Sequence, residues 1–298
     1  MIYTVTLNPS LDYVIRMDSF VPGSINRADS AEIVAGGKGI NVSTILCRLG
    51  METTALGYVG GFTGRKIADE LYNMGVCERF TRLSGGDSRI NVKLRAGEES
   101  EINAKGPEIS PADEAVFMDE LNLLVKNGDY VVLAGSIPKT LKTDTYARIM
   151  QMLSDREVNF VVDAEGDLLC DVLLYHPFLI KPNVLELGDI YGRRLIGISD
   201  IRECAKDMMR RGARNVLVSM GKEGAVFWGE DGSELYSPAP DGTVVNTVGA
   251  GDSMVGGFLY GYIKYGNFAE ALKWGSACGA ATACSVGIAE RELILSML

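Results

Sequence analysis

The stretch TVGAGDSMVGG, residues 247–257, holds four glycines and a single carboxylate, Asp252, and runs directly into FLYGYIKYG. Met254, Phe258 and Tyr262 are spaced four apart, as are Val255, Leu259 and Ile263, so the segment after the glycines reads as a helix with an apolar stripe. Gly249 and Gly251 then fall at its N-terminus, where backbone N–H groups are unpaired and the macrodipole is positive. A loop without side chains lets an anion come close to those N–H groups, as phosphates do at helix starts. A bare anion hole would avoid a carboxylate. Phosphoryl transfer requires one, to take the proton of the attacking hydroxyl. A helix packed through glycines and capped by Asp252 would use the same residue types. An aspartate in this position is expected to have a lowered pKa from the helix terminus.

Three further stretches carry chemistry-bearing residues. AGGKGINVSTILCRLG (35–50) places Gly36, Gly37 and Gly39 before an amphipathic helix, with Lys38 and Asn41 among them. A lysine over a helix start suits a phosphate, and an asparagine suits sugar hydroxyls; a solvated lysine on a turn would look the same. IKPNVLEL (180–187) reads as a strand end and a turn in which Asn183 and Glu186 could hold Mg²⁺ through water, with Asp163 of VVDAEG as a second oxygen donor. VSMGKEGAVFW (218–228) reads as a strand, a glycine turn carrying Lys222 and a return strand, suited to nucleotide phosphates or to an ordinary hairpin. None of these is a Walker A loop or a GxGxxG fingerprint.

The elements that must position these residues alternate. IYTVTL (2–7), YVVLAG (130–135), NFVVDA (159–164), FLIKPN (178–183) and NVLVSMG (215–221) read as buried strands. Helices are expected over 110–126, 143–155 and 199–212, the first opened by Ser110, Pro111 and Asp113 as a capping box. The alternation predicts a mainly parallel sheet. Residues 11–20 and 88–106 break the pattern and read as antiparallel ribbons, with Ile90, Val92 and Leu94 on one face and Arg89, Asn91, Lys93 and Arg95 on the other. They predict a small β lid whose polar face closes on a ligand and whose apolar face needs a partner surface.

The chain has 298 residues, a net charge of −10 and 47% hydrophobic residues, which suits one large globular domain or two modest ones. The acidic balance disfavours a nucleic-acid footprint. No run approaches the ~20 apolar residues of a membrane helix, and the start lacks the marks of an export signal. A cytoplasmic protein with six reduced cysteines is the expectation. The sole histidine, His176, has no evident acid partner, which argues against a Ser-His-Asp site or a histidine-rich metal site.

Taken in order, GGKGINVS, KPNVLE and NTVGAGDSMVGGFL resemble the PfkB (ribokinase-like) carbohydrate kinases, and the resemblance runs from Met1 to about Cys284. TLNPSLDY, SRINVKL and LAGSIP point within that family to ketohexose-phosphate kinases. The resemblance implies a single domain over 1–298, a ribokinase-like three-layer sandwich with a mainly parallel central sheet, and a small β-sheet lid from segments about 10–35 and 88–106. It implies ATP and Mg²⁺ as cofactors, with D-fructose 1-phosphate as the acceptor and tagatose 6-phosphate as the alternative. A regulator that binds such ligands without turnover is the rival of a different class, and the intact Asp252 loop argues against it. By position, Asp252 matches the catalytic base, and Gly249, Ala250 and Gly251 match the anion hole. Asp12, Arg27, Gly37, Lys38, Asn41, Arg89, Asn91, Lys93 and Ser136 match substrate contacts. Asn183, Glu186 and Asp163 match the Mg²⁺–phosphate network; Ser219, Gly221, Lys222, Glu223 and Gly224 match the ATP loop, and Ala281 flanks the adenine. Asn246 stands where many relatives carry an acid, which bears on any monovalent-cation site. Lys38, Arg27, Arg89 and Lys93 are expected to form one cationic cluster for the phosphate already on the sugar, and two lids are expected to cover each other in a homodimer.

Overall fold

Strands built almost wholly of buried residues need cover on both faces, and this chain provides it with helices on each side. The computed structural model describes the backbone of residues 1–298 and every side chain except that of Glu98. The strands are β1 Ile2–Thr6, β2 Ser10–Arg16, β3 Ser30–Gly36, β4 Thr54–Gly60, β5 Cys77–Leu83, β6 Arg89–Ala96, β7 Glu98–Ile102, β8 Tyr130–Ala134, β9 Asn159–Asp163, β10 Leu179–Ile180, β11 Val216–Ser219, β12 Ala225–Trp228 and β13 Glu234–Ser237. The helices are α1 Lys38–Arg48, α2 Gly61–Asn73, α3 Pro111–Leu124, α4 Thr145–Met152, α5 Gly166–Val172, α6 Val184–Ile190, α7 Ile198–Arg210, α8 Ala250–Tyr265, α9 Phe268–Ala283 and α10 Arg291–Ser296.

Nine strands form one sheet in the order β13-β12-β11-β10-β9-β8-β1-β4-β5. From β11 to β5 all pairings are parallel, and the β11–β12–β13 edge is antiparallel. Alternate residues feed two cores. Val131, Leu133, Val162 and Val216 pack towards the residues of α3, α4 and α7, while Val132, Val161, Leu179 and Leu217 pack against α1, α8 and α9. The result is a three-layer α/β/α sandwich. The expected strands and helices lie where the sequence placed them, with shorter bounds, and Ser110 and Asp113 form the capping box of α3. Among the described residues no helix is long and apolar enough to cross a membrane.

A second sheet, β3-β2-β6-β7, forms the lid. The reading of 11–20 and 88–106 as antiparallel ribbons is correct only within each hairpin: β2–β3 and β6–β7 are antiparallel, but β2 and β6 join in parallel, Ser10 opposite Arg89 through Arg16 opposite Arg95. A parallel join needs a long crossover, and α1, β4, α2 and β5 supply it between the two hairpins. The polar face turns inward: Asn91 and Lys93 are buried and Arg89 is half-buried. The apolar face turns outward, with Tyr13, Ile33, Ile90 and Ile102 all exposed.

Candidate active site

The first strand of the sheet is flanked by β4 on one side and β8 on the other, so the chain winds in opposite directions from that point. Ligands of such sheets bind outside the carboxyl ends of the strands near this switch. A cavity of about 1490 Å³ opens there, lined by Asp163 at the end of β9, Lys181 just after β10, Ser219 at the end of β11 and Lys38 at the start of α1. The start of α8 closes it with Ala250, Gly251 and Asp252.

Gly249 caps α8 in the left-handed conformation, φ 80° and ψ −4°. A Cβ there would also meet Ile288 Cδ1 at 2.6 Å. The first turn leaves the N–H groups of Gly251 and Asp252 without an acceptor among the described residues. Asp252 Oδ2 accepts a 2.7 Å hydrogen bond from Asn41 Nδ2, while Oδ1 has no hydrogen bond. The side chain is 6% exposed. Burial raises its pKa, and the neighbouring Asp163 charge adds to this against the pull of Asn41, Lys38 and Lys181, so the carboxyl is pushed up to about 7. This corrects the expected lowered pKa: desolvation outweighs the helix terminus.

Asp163 is 1% exposed and its two oxygens make no hydrogen bond. Burial would raise its pKa, but Lys181 and Lys38 together hold it below the ordinary value. Their ammonium groups lie 3.3 and 3.5 Å from the same oxygen, Oδ1. Burial alone would lower the pKa of Lys38, but Asp163, Asp252, Glu186 and Glu165 raise it. Lys181 is the member of this group that the sequence reading passed over; a charged residue ending the apolar run FLI was its only signal.

Asn183 and Glu186 do not sit in an open turn. They form the capping box of α6: Asn183 Oδ1 accepts from the Glu186 N–H at 2.9 Å, and Glu186 Oε2 accepts from the Asn183 N–H at 2.8 Å. Each nevertheless lines the cavity, with the Asn183 amide nitrogen and Glu186 Oε1 uncommitted. Ser219, Gly221, Lys222, Glu223 and Gly224 line it as well, on the antiparallel β11–β12 connection. Ala281 does not: it is fully buried in the core, and α9 presents Ser276, Gly279, Ala280 and Ala283 instead, residues on one helix face.

The expected single cationic cluster is split. Lys38 belongs to the cavity. Lys93 is paired with Asp12 at 3.1 Å and with Glu101 at 3.6 Å, so its charge is compensated inside the lid. Asp12 also accepts from Ser10 and Asn91, at 2.7 and 3.0 Å. Arg27 lies exposed on the β2–β3 connection. Arg89 is half-buried, donates from Nε to the Asn8 carbonyl at 3.1 Å and has no carboxylate in salt-bridge contact among the described residues. Gly36 to Asn41 connect the two groups: a Cβ on Gly36 would meet Asp12 Cγ at 2.8 Å, and Asn41 holds Asp252. Gly37 precedes α1 at φ 139°, where a Cβ would strike Thr6. Ser136 is exposed one residue after Gly135, which adjoins the stem of Lys38. Asn246 donates its amide to the Val286 carbonyl and accepts from the Val248 N–H.

A buried carboxyl with a raised pKa at a helix terminus, two lysines near it and a small lid sheet are set in a ribokinase-like α/β fold. The sequence profile of the pfkB family carbohydrate kinases matches residues 5–293. The chain is 41% identical over 298 residues to the 1-phosphofructokinase of Bacillus subtilis, covering 100% of this chain and 97% of that protein. It is 36% identical to the D-tagatose-1-phosphate kinase of Bacillus licheniformis, covering 97% and 95%. Phosphofructokinase-2 from Escherichia coli, in complex with substrates and products, superposes with a TM-score of 0.93 at 26% identity, covering 99% and 97%. The chain belongs to the pfkB family of carbohydrate kinases.

Proposed function

We propose that the protein transfers the terminal phosphoryl group of ATP to the C6 hydroxyl of D-fructose 1-phosphate, giving fructose 1,6-bisphosphate. The observation that carries this reading is Asp252: a carboxyl with one oxygen held by Asn41 and the other free, set between unpaired N–H groups and poised near neutral pH. A general base works best when its pKa lies near the working pH. The nucleotide lies along Ser219 to Gly224 and the α9 wall, and the sugar lies under the lid against Asp12 and Asn91. Arg89, a half-buried lid cation free of a carboxylate, receives the phosphate already on the sugar. The hydroxyl oxygen attacks the terminal phosphorus in line while Asp252 takes its proton. The N–H groups of Gly251 and Asp252 stabilise the charge on the phosphoryl oxygens.

Among the described residues no three His, Cys, Asp or Glu side chains gather to hold a metal ion alone. Asp163 Oδ2 and Glu186 Oε1 are nonetheless uncommitted oxygens at the cavity, the kind of sparse donor set Mg²⁺ uses when phosphates and water complete its shell. These two residues, with Asn183 beside them, would hold an ion carried in with ATP. When bound, it supplies charge neutralisation to the nucleotide phosphates. Six unpaired cysteines suit a reducing compartment, and we place the enzyme in the cytoplasm. The exposed apolar lid face favours a homodimer through the lids.

The test is ADP production in a coupled assay with fructose 1-phosphate, tagatose 1-phosphate, tagatose 6-phosphate, fructose 6-phosphate, ribose and adenosine. The highest kcat/KM is expected for fructose 1-phosphate, with little turnover of the unphosphorylated compounds. A higher kcat/KM for tagatose 6-phosphate would overturn the acceptor and keep the chemistry. A preference for ribose or adenosine would overturn the role of Arg89, and no turnover at all would leave a ligand-binding protein.

A further inference from the structure

A guanidinium carries five donors, and one that is half-buried needs acceptors for them. Arg48, in the last turn of α1, finds its acceptors outside its own helix. Its Nη1 donates to the Ile288 carbonyl and, at 3.0 Å, to the Ala289 carbonyl, and its Nη2 lies 2.8 Å from Glu290 Oε1. All three acceptors sit on the irregular segment between α9 and α10. That segment bears on the start of α8 at two points. Ile288 Cδ1 stands 2.6 Å from where a Cβ on Gly249 would be. The Ala289 N–H donates to Thr282 Oγ1 at 3.2 Å, and that hydroxyl donates at 2.8 Å to Ser253 Oγ, next to Asp252. Asn41, Ile45 and Arg48 are spaced four and three apart on α1, so they share one face. The face lies along α8, where a Cβ on Gly256 would meet Ile45 Cγ2 at 2.9 Å. Its first residue holds Asp252 directly, and its last reaches Gly249 through Ile288.

We infer that Arg48 is a positioning residue for phosphoryl transfer: by holding the Ile288 and Ala289 carbonyls it keeps Ile288 against Gly249, and so fixes the unpaired N–H groups of Gly251 and Asp252 relative to the Asp252 carboxylate. This rests on the kinase reading above. Arg48 itself does not line the cavity. Gly249 has no side chain and adopts the left-handed conformation, so the groups packed on it must hold the first turn of α8. Those groups are Ile288 and Asn41, whose Nδ2 stands 3.4 Å from the Cβ position. Oriented N–H donors act on a reaction when they meet the oxygens of the transition state at set distances. Slack in this turn therefore lowers the rate of the step more than the binding of the sugar. The competing role is a clasp that only fastens α10 to the body, through the Glu290 ion pair and a 3.3 Å hydrogen bond from Arg291 to the Arg48 carbonyl.

Arg48→Met, Ile288→Ala and the double variant separate the two roles, with melting temperature measured beside turnover. Arg48→Met is expected to lower kcat by ~10- to 10²-fold, the scale for a displacement of about 1 Å at the reacting groups, and to leave KM for fructose 1-phosphate unchanged. Ile288→Ala is expected to lower kcat by a similar factor and the double variant no further, because both losses act through one contact. Glu290→Gln removes only the ion pair and is expected to keep the wild-type kcat. A wild-type kcat in Arg48→Met, with or without a lower melting temperature, would leave only the clasp and overturn the inference. So would losses that multiply in the double variant, a Glu290→Gln as slow as Arg48→Met, or a KM that rises as much as kcat falls. Should the methionine variant not fold, Arg48→Lys is measured alone and with Ile288→Ala against the same outcomes. A wild-type protein that turns over no sugar phosphate would sink the kinase reading itself, which is a different failure.

Discussion

Asp252 is a helix-start residue to which we assign the role of base, and the two positions pull its pKa in opposite directions. Burial wins over the helix terminus and raises the pKa, because ionising a desolvated carboxyl costs more than the terminus returns. Replacing Asp252 by Asn keeps the acceptor that faces Asn41 and removes the base. kcat is expected to fall by at least ~10²-fold with nucleotide affinity retained; near-normal turnover would reduce Asp252 to a cap. In the wild-type enzyme kcat/KM is expected to rise with pH through about 7 and level above it, because the base must be deprotonated. The Asn41 hydrogen bond favours the ionised form, so Asn41→Ala should move that rise to higher pH; a move to lower pH would contradict the assignment. The shift also acts on the fold. Raised from 3.8 to about 7, the folded-state pKa lets the native protein bind a proton the unfolded chain has lost, so this residue's contribution to stability is lost as pH rises across that interval. The glycine loop and its carboxylate were legible in the sequence because their spacing and types are local. Lys181 and the Asp163 pair were not, since 18 residues of chain separate them and only neighbouring parallel strands bring them together.

The anion site keeps its shape because α8 and α9 lie unusually close. Gly257 and Gly261 on α8 face the backbone of α9: a Cβ on Gly257 would stand 2.4 Å from the Trp274 carbonyl and 2.6 Å from Cys278 Sγ, and one on Gly261 would stand 2.6 Å from the Glu270 carbonyl. Gly257→Ala therefore forces the helices apart. We expect a loss of ~1–3 kcal/mol in denaturant unfolding, typical of overpacking, together with a higher KM for ATP as the α9 wall shifts; unchanged stability would show that the contact has slack. These helices were readable from their apolar spacing, but their closeness was not, since a glycine for packing and a glycine for an anion look alike in a sequence. The elements β4, α2 and β5 were not read at all. TALGYVG (54–60) is short and broken by glycines, and one of these, Gly57 at φ 143°, is there because a Cβ would lie 1.9 Å from the Thr6 carbonyl of the neighbouring strand. That need arises from strand adjacency, which periodicity does not reveal. The N-x-x-E pair of 183–186 has a spacing that suits a metal and a capping box equally; it forms the box and also lines the cavity.

At the scale of the whole molecule the lid is a sheet with one face too many. Its inner face carries Asp12, Asn91, Lys93 and Arg89, the residues we assign to the sugar, each fixed by the register of β2 on β6. Its outer face sets Ile33, Tyr13, Val92 and Ile102 in one row across all four strands, with Ile90 beside them, and most of this row is open. A continuous apolar row on a lone small sheet marks an association surface, and a second copy of the same lid is the self-complementary partner a two-fold axis would supply. Val92 lies in an inner strand of that row, so Val92→Asp places a charge where the two lids would meet. The wild type is expected to scatter light as a dimer and the variant as a monomer, with the melting temperature of the α/β body nearly unchanged. With the acceptor against the inner face and the nucleotide outside the lid, as proposed, KM for fructose 1-phosphate should rise more than KM for ATP. A variant that stays dimeric at low concentration would move the interface elsewhere. A monomer with an unaltered acceptor KM would show that the lid holds its sugar-binding face without a partner.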